Sequence, residues 1–110
     1  MQMISAEMQS CVENCLNCYE TCIKTSMHHC LEAGGKHVAP QHFRLMSTCA
    51  EICRAAAAVM LIGTSHHRNL CRVCAEVCED CGQDCERIGD MQECVEACRR
   101  CAETCRSMSA

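Results

Sequence analysis

The chain has 110 residues, enough for one domain around one core, and 16 of them are cysteine against one Phe, one Tyr and no Trp. Its net charge of −4 comes from 14 acidic and 10 basic residues mixed along the sequence, which leaves no basic patch for nucleic acid, and no apolar run approaches the ~18 residues of a membrane span. Cysteine at this density usually signals a secreted disulfide scaffold, but one Pro and five Gly are too few for its loops. The first residues, Met1 to Glu7, carry no basic n-region, no apolar h-region and no twin arginine, so the expected location is the cytoplasm. Thiols there stay reduced, and dense cysteine more often means metal.

The predicted elements are all helical: one domain over residues 1–110, with helices over about 5–31, 41–62, 66–88 and 91–107. The first helix is expected to begin at about Ser5, and Ala33-Gly34-Gly35 marks its end. Along this first helix Met8, Cys11, Cys15, Cys18 and Cys22 recur at intervals of three and four, which keeps them on one face. His29 follows seven residues after Cys22, and Cys30 falls one step off the stripe. A second row, Val12, Leu16, Tyr19 and Ile23, lies about 100° round and suits packing against a neighbouring helix or subunit.

The second helix keeps the period with fewer thiols, as His42, Met46, Cys49, Cys53, Ala56 and Met60. Its run from Ala55 to Ile62 is apolar all round, which predicts burial on more than one side and a candidate oligomer contact. Gly63 stops it, and Ser65 is placed to cap the third helix, which carries His67, Cys71, Cys74, Cys78, Cys81 and Cys85. Gly89 closes that helix, and Asp90 with Glu93 reads as a capping box for the last. The last helix has Met91, Cys94, Cys98, Cys101, Cys105 and Met108 on one stripe. Residues 11–22 align with residues 94–105 without a gap, and residues 74–85 are a third copy. The repeated unit is one helix with one seam of sulfur.

Four helices with short links make an antiparallel four-helix bundle the natural architecture. The seams then converge on its axis, and all cysteines but Cys30 point at one another. A lone buried cysteine is a small hydrophobe, but a core built only to pack would use Leu, Ile and Val, which bury more apolar surface. Disulfides along one helix are strained, since i,i+4 Cβ atoms lie about 5 to 6 Å apart where a bridge wants about 3.8 Å.

Soft thiolates select Cu(I), Zn or iron–sulfur clusters. Four thiolates on Zn carry a net charge of −2, and several such sites stacked in one core would repel. One Cu(I) per thiolate leaves the core neutral, and Cu(I) accepts two ligands. Seven i,i+4 cysteine pairs would hold about seven or eight ions, and bridging thiolates up to about sixteen. That is storage capacity and implies no enzyme. The alternatives are a broad-specificity Zn/Cd/Cu sink of metallothionein type, or an iron–sulfur or thiol redox protein. The latter has Cys-x-x-Cys spacings such as Cys71 to Cys74 in its favour and their mid-helix register against it.

The repeated Cys-x-x-x-Cys-x-x-Cys-x-x-x-Cys seams resemble the cysteine-rich, four-helix-bundle copper storage proteins of bacteria over nearly the whole chain. The resemblance implies a homotetramer of bundles, each filled with many Cu(I) ions bound mainly by thiolates. Without a twin-arginine signal the chain resembles the cytosolic type. It also implies loading through one bundle end, where His and Met residues lie. His28, His29, His37, His42, Met46 and Met91 belong to the end with the first loop, and Met3, Met8, His66, His67 and Met108 to the other. Of these, His29, His42, Met46, His67, Met91 and Met108 are the candidate loading or auxiliary ligands, and His28, His37 and His66 read as exposed polar residues. Nothing in the sequence identifies the copper donor.

Overall fold

Ser5 starts the first helix, its side-chain oxygen accepting the Met8 backbone N–H at 3.1 Å, the N-cap bond that its position implies. The computed structural model describes residues 4–110, so Met3 lies outside the described residues. Helix α1, Ala6–Lys24, runs without a break into a π-helical turn, Thr25–Cys30, and one more α-helical turn, Leu31–Ala33. A 3-10 turn, Gly35–Val38, leads to helix α2, Pro40–Ile62, with Pro40 at the first position, where a missing N–H costs little. Helix α3 is His67–Ile88 and helix α4 is Gln92–Met108. Each packs against two ring neighbours, α1 and α3 both lying on α2 and α4. With the short links this makes an antiparallel four-helix bundle, 49 Å long and 22 by 18 Å across.

Two of the expected caps do not form. Gly63 does end α2, with φ +96° and its N–H on the Val59 carbonyl at 3.1 Å, a left-handed turn that side chains avoid. Ser65 makes no side-chain cap; His66 takes that position with a helical backbone. The carbonyls of Thr64 and Ser65 accept the N–H groups of His67 and Arg68 instead, at 3.5 and 3.3 Å. Asp90 has φ +57° and the cap position passes to Met91, which makes no side-chain bond either. Glu93 therefore falls one residue too early for a capping box.

The bundle covers its apolar rows unevenly. Val12 is buried, Tyr19 and Ile23 are half-buried, and Leu16 is exposed. In the alanine-rich run Ala56, Ala57 and Met60 are buried, but Leu61 and Ile62 are 54% and 72% exposed, so one bundle does not cover all sides of α2. Contrary to expectation, α2 is long and apolar enough to cross a membrane by length and composition alone, with a mean hydropathy of 1.6. The cause is its Cys, Met and Ala content, and Met46, Cys49, Ala50, Cys53, Ala56 and Met60 are all buried within the bundle.

Helices α3 and α4 approach closely at Gly82, where an added Cβ would stand 3.2 Å from the Cβ of Cys98. A side chain at residue 82 would need Cys98 to give way by a few tenths of an ångström. Outside the same junction, Arg99 pairs with Glu86 and Arg106 with Glu79, exposed pairs that contribute little to stability.

Candidate metal centre

All 16 cysteines are buried and none is in a disulfide. The 3-4 spacing on α1, α3 and α4 puts each seam on the bundle axis, as a and d positions do in a heptad, and α2 adds Cys49 and Cys53. Sulfur then meets sulfur from Cys11 through to Cys98. Cys11 and Cys15 lie 3.7 and 3.5 Å from Cys105, Cys15 3.7 Å from Cys101, and Cys101 3.8 Å from Cys53. Cys53 lies 3.6 Å from Cys78, Cys78 3.7 Å from Cys49, Cys49 3.9 Å from Cys18, and Cys18 3.8 Å from Cys98. A disulfide is about 2 Å long, so these are contacts between free thiols.

Among the described residues the thiols form overlapping groups whose sulfurs all lie within 4.8 Å of one another. The four-thiol sets are Cys15, Cys74, Cys101 and Cys105; then Cys53, Cys74, Cys78 and Cys101; then Cys18, Cys49, Cys53 and Cys78; then Cys18, Cys22, Cys49 and Cys98. Each shares two sulfurs with the next, and Cys105 joins the first to a trio with Cys11 and Cys71. Separate tetrahedral Zn sites need closed sets of four ligands; a row of shared pairs suits ions bridged by common thiolates. The remaining four cysteines, Cys30, Cys81, Cys85 and Cys94, belong to no such group, and among them Cys81 and Cys85 are 4.0 Å apart.

Cys30 reverses an expectation. An α-helical period puts His29 on the seam and Cys30 beside it, but the π-turn has more residues per turn, so Cys22, Ser26 and Cys30 are the buried ones and His29 is exposed. Cys30 Sγ then lies 4.0 Å from Met46 Sδ. One helical turn before Met46, His42 is 1% exposed, with Nδ1 2.6 Å from Asp84 Oδ2 and with a buried Nε2 that has no partner among the described residues. A carboxylate behind a histidine fixes ring and tautomer, as it does behind metal-bound histidines. Arg87 forks onto the other oxygen of Asp84 at 2.7 and 3.1 Å. Burial opposes ionisation of Asp84, but Arg87 and His42 outweigh it and hold the carboxyl below its usual range.

The other candidates divide by end. Met91 is buried at the His42 end, where the rings of His29 and His37 meet at 5.0 Å. His37, expected to be exposed, is 8% exposed, with Nε2 3.2 Å from the Gly89 carbonyl oxygen. At the far end Met8 and Met108 are half-buried against the core. There the Nδ1 of the half-buried His67 is 2.9 Å from the Thr64 carbonyl oxygen, while His66 is exposed. Asp84 and the buried His37 were missed because both are defined by partners on other elements.

Neighbouring thiols and burial raise most of these sulfurs. Cys49 is pushed above the ordinary thiol range by Cys18, Cys22, Cys53 and Cys78 together with burial, and Cys101 likewise by Cys105, Cys15, Cys18 and Cys53. Cys30 is raised by burial and by the charge of Cys94. Cys18 moves down, because Cys101, Cys22, Cys49 and Cys53 all donate to its thiolate. The first thiolate of a cluster is stabilised by its S–H neighbours, and each later one meets a charge already present. A thiol whose folded pKa is raised contributes stability that is whole below its unfolded pKa and lost as pH rises through the folded value. The metal-free protein should therefore melt at progressively lower temperature as pH is taken above about 8.5, the free-thiol value. Thermal unfolding followed by circular dichroism checks this, and a melting point that holds or rises over that range would count against it.

The sequence matches the family described as copper storage protein over residues 4–110. Among solved structures, a protein from Nitrosospira multiformis is 50% identical, with 94% of each chain covered and a TM-score of 0.92. The Cu(I)-bound copper storage protein 3 of Bacillus subtilis is 36% identical, covering 94% of this chain and 99% of its own, with a TM-score of 0.86. A cytosolic copper storage protein from Streptomyces lividans, with five coppers, is 32% identical over 94% of this chain and 92% of its own, with a TM-score of 0.82. No curated relative matches the chain. The match over residues 4–110, on a four-helix bundle with a core of free thiols, shows that the chain belongs to the copper storage protein family.

Proposed function

We infer that the protein stores and buffers Cu(I), taking up many ions per chain as thiolate complexes inside a preformed bundle. The observation that carries this is the overlap of the thiol groups, each sharing two sulfurs with the next. Shared thiolates hold about one Cu(I) each without leaving net charge in the core, whereas divalent Zn or Cd with four thiolates per ion would leave negative charge buried there. A redox centre would need only one such group. All 16 cysteines serve as ligands in this reading, with His42 and Met46 completing the site of Cys30. His29 and Met91 assist loading at that end, and His67 and Met108 are auxiliary at the other.

The role is storage without catalysis, in a single domain, and in the cytosol, by analogy with the Streptomyces lividans relative. The exposed Leu16, Leu61 and Ile62 support a homo-oligomer, a tetramer on the family pattern. The test is an anaerobic titration of the reduced protein with Cu(I) against a chromophoric Cu(I) chelator. Tight uptake of more than about eight ions, the limit of simple pairing, is expected, with Zn unable to displace them. Uptake of one ion or none sinks the storage reading.

A further inference from the structure

Cys30 comes eight residues after Cys22. Over that length an α-helix turns about 80° past two whole turns, which would carry Cys30 off the seam and bring His29 onto it. The backbone does otherwise. Thr25–Cys30 wind as a π-turn, and the buried residues are Cys22, Ser26 and Cys30, at intervals of four. A π-turn takes up one residue more than an α-turn. The segment is therefore one residue too long for the α register, and the π-turn absorbs the excess.

Ser26 lies inside that turn. Its side chain is 1% exposed, in a row otherwise made of sulfur, and its hydroxyl donates to the Ile23 carbonyl oxygen at 3.2 Å. In an α-helix that carbonyl accepts the N–H of Met27. A serine hydroxyl bonded back to its own helix competes with the α ladder and bends it, whereas a thiol is a weak donor. This accounts for oxygen in place of sulfur at this step of the seam.

What the turn delivers is Cys30, buried with Sγ 4.0 Å from Met46 Sδ. One turn before Met46 is His42, whose buried Nε2 has no partner among the described residues. A thiolate, a thioether and an imidazole together suit one Cu(I) without bridging, as befits a cysteine that belongs to no shared thiol group. In the α register the donors there would be His29, His42 and Met46, all neutral, and no thiolate would balance the buried charge of the ion.

We propose that Ser26 is a positioning residue: through its bond to Ile23 it holds a one-residue insertion in the π form, and so keeps Cys30 rather than His29 at the end of the sulfur row. The register is a property of the metal-free chain, and its consequence for copper rests on the storage reading.

Reduced, metal-free protein is treated anaerobically with iodoacetamide, and alkylation of Cys30 is followed by peptide mass spectrometry with Cys22 as the internal control. In Ser26→Ala, Cys30 should label about tenfold faster than in the wild type, since reactivity follows exposure, with Cys22 unchanged. Ser26→Thr keeps the hydroxyl and should bring Cys30 back to within about twofold of the wild-type rate. Deletion of Ser26 puts Cys30 about 20° short of two whole turns after Cys22, so the shortened chain should protect Cys30 with no hydroxyl at all. A mere loss of packing would not be repaired by removing a residue. At saturation Ser26→Ala should hold about one Cu(I) fewer than the wild type, as Cys30→Ala does, and the shortened chain the full number. Wild-type protection of Cys30 in Ser26→Ala, or a shortened chain that exposes Cys30 or fails to fold, overturns the proposal and leaves storage standing. A wild-type chain that takes up no copper sinks storage, while the labelling pattern still decides the register.

Discussion

Filling the reduced protein with about ten equivalents of Cu(I) is expected to move its thermal unfolding beyond the range of an aqueous melt. Each ion bound at a free concentration of about a hundred times its dissociation constant adds about 2.7 kcal/mol through linkage. Several such ions together exceed the whole 5 to 15 kcal/mol that holds a typical domain. About 1 kcal/mol moves the midpoint of a domain this size by some 4 to 8 °C. The metal-free protein should nonetheless be helical and melt cooperatively. Its helices carry terminators that owe nothing to metal, such as the Ser5 cap and the Gly63 turn, and its packed Ala, Val, Ile and Met residues are buried without it. In that respect it differs from a zinc finger, whose folding free energy is its metal binding. Far-ultraviolet circular dichroism of the reduced apo and loaded forms makes the comparison. A random-coil apo spectrum would dispose of the preformed bundle, and coincident melts would dispose of the linkage.

What the sequence made legible follows from periodicity. Cysteines at alternating intervals of three and four have a common face only on a helix, so the seams of α1, α3 and α4 could be read before any packing was known. What escaped it depends on backbone angles or on distant partners. Cys30 and His29 exchange places because six residues wind as a π-turn, and one wider turn rotates everything after it relative to the seam. Ser65 and Asp90 have the chemistry of caps, but the cap positions fall one residue later, at His66 and Met91. The pairs His42–Asp84 and His37–Gly89 join residues 42 and 52 positions apart, which no local pattern encodes. Their consequence is local: they order the bundle end where the sulfur row is loosest.

The overlap of the thiol groups itself is open to direct test. Replacing Cys74 and Cys101 together by Val removes two sulfurs from each of two consecutive four-thiol groups. Replacing Cys81 and Cys94 removes two that belong to none. If copper were held by independent i,i+4 pairs, both double variants would lose the same two ions, because each breaks two pairs. If thiolates are shared, the central variant should lose about four and the peripheral one about two. The reason is that Cys15, Cys105, Cys53 and Cys78 each lose bridging partners that nothing replaces. Val exchanges the S–H for two methyl groups, one heavy atom more at each site, an overpacking that typically costs about 1 to 3 kcal/mol against the roughly 5 to 15 kcal/mol of a typical domain, so both variants should stay folded. Their metal-free melts verify that. Equal copper losses in the two folded variants would mean that the contacts between groups are packing alone, and that each helix carries its own copper.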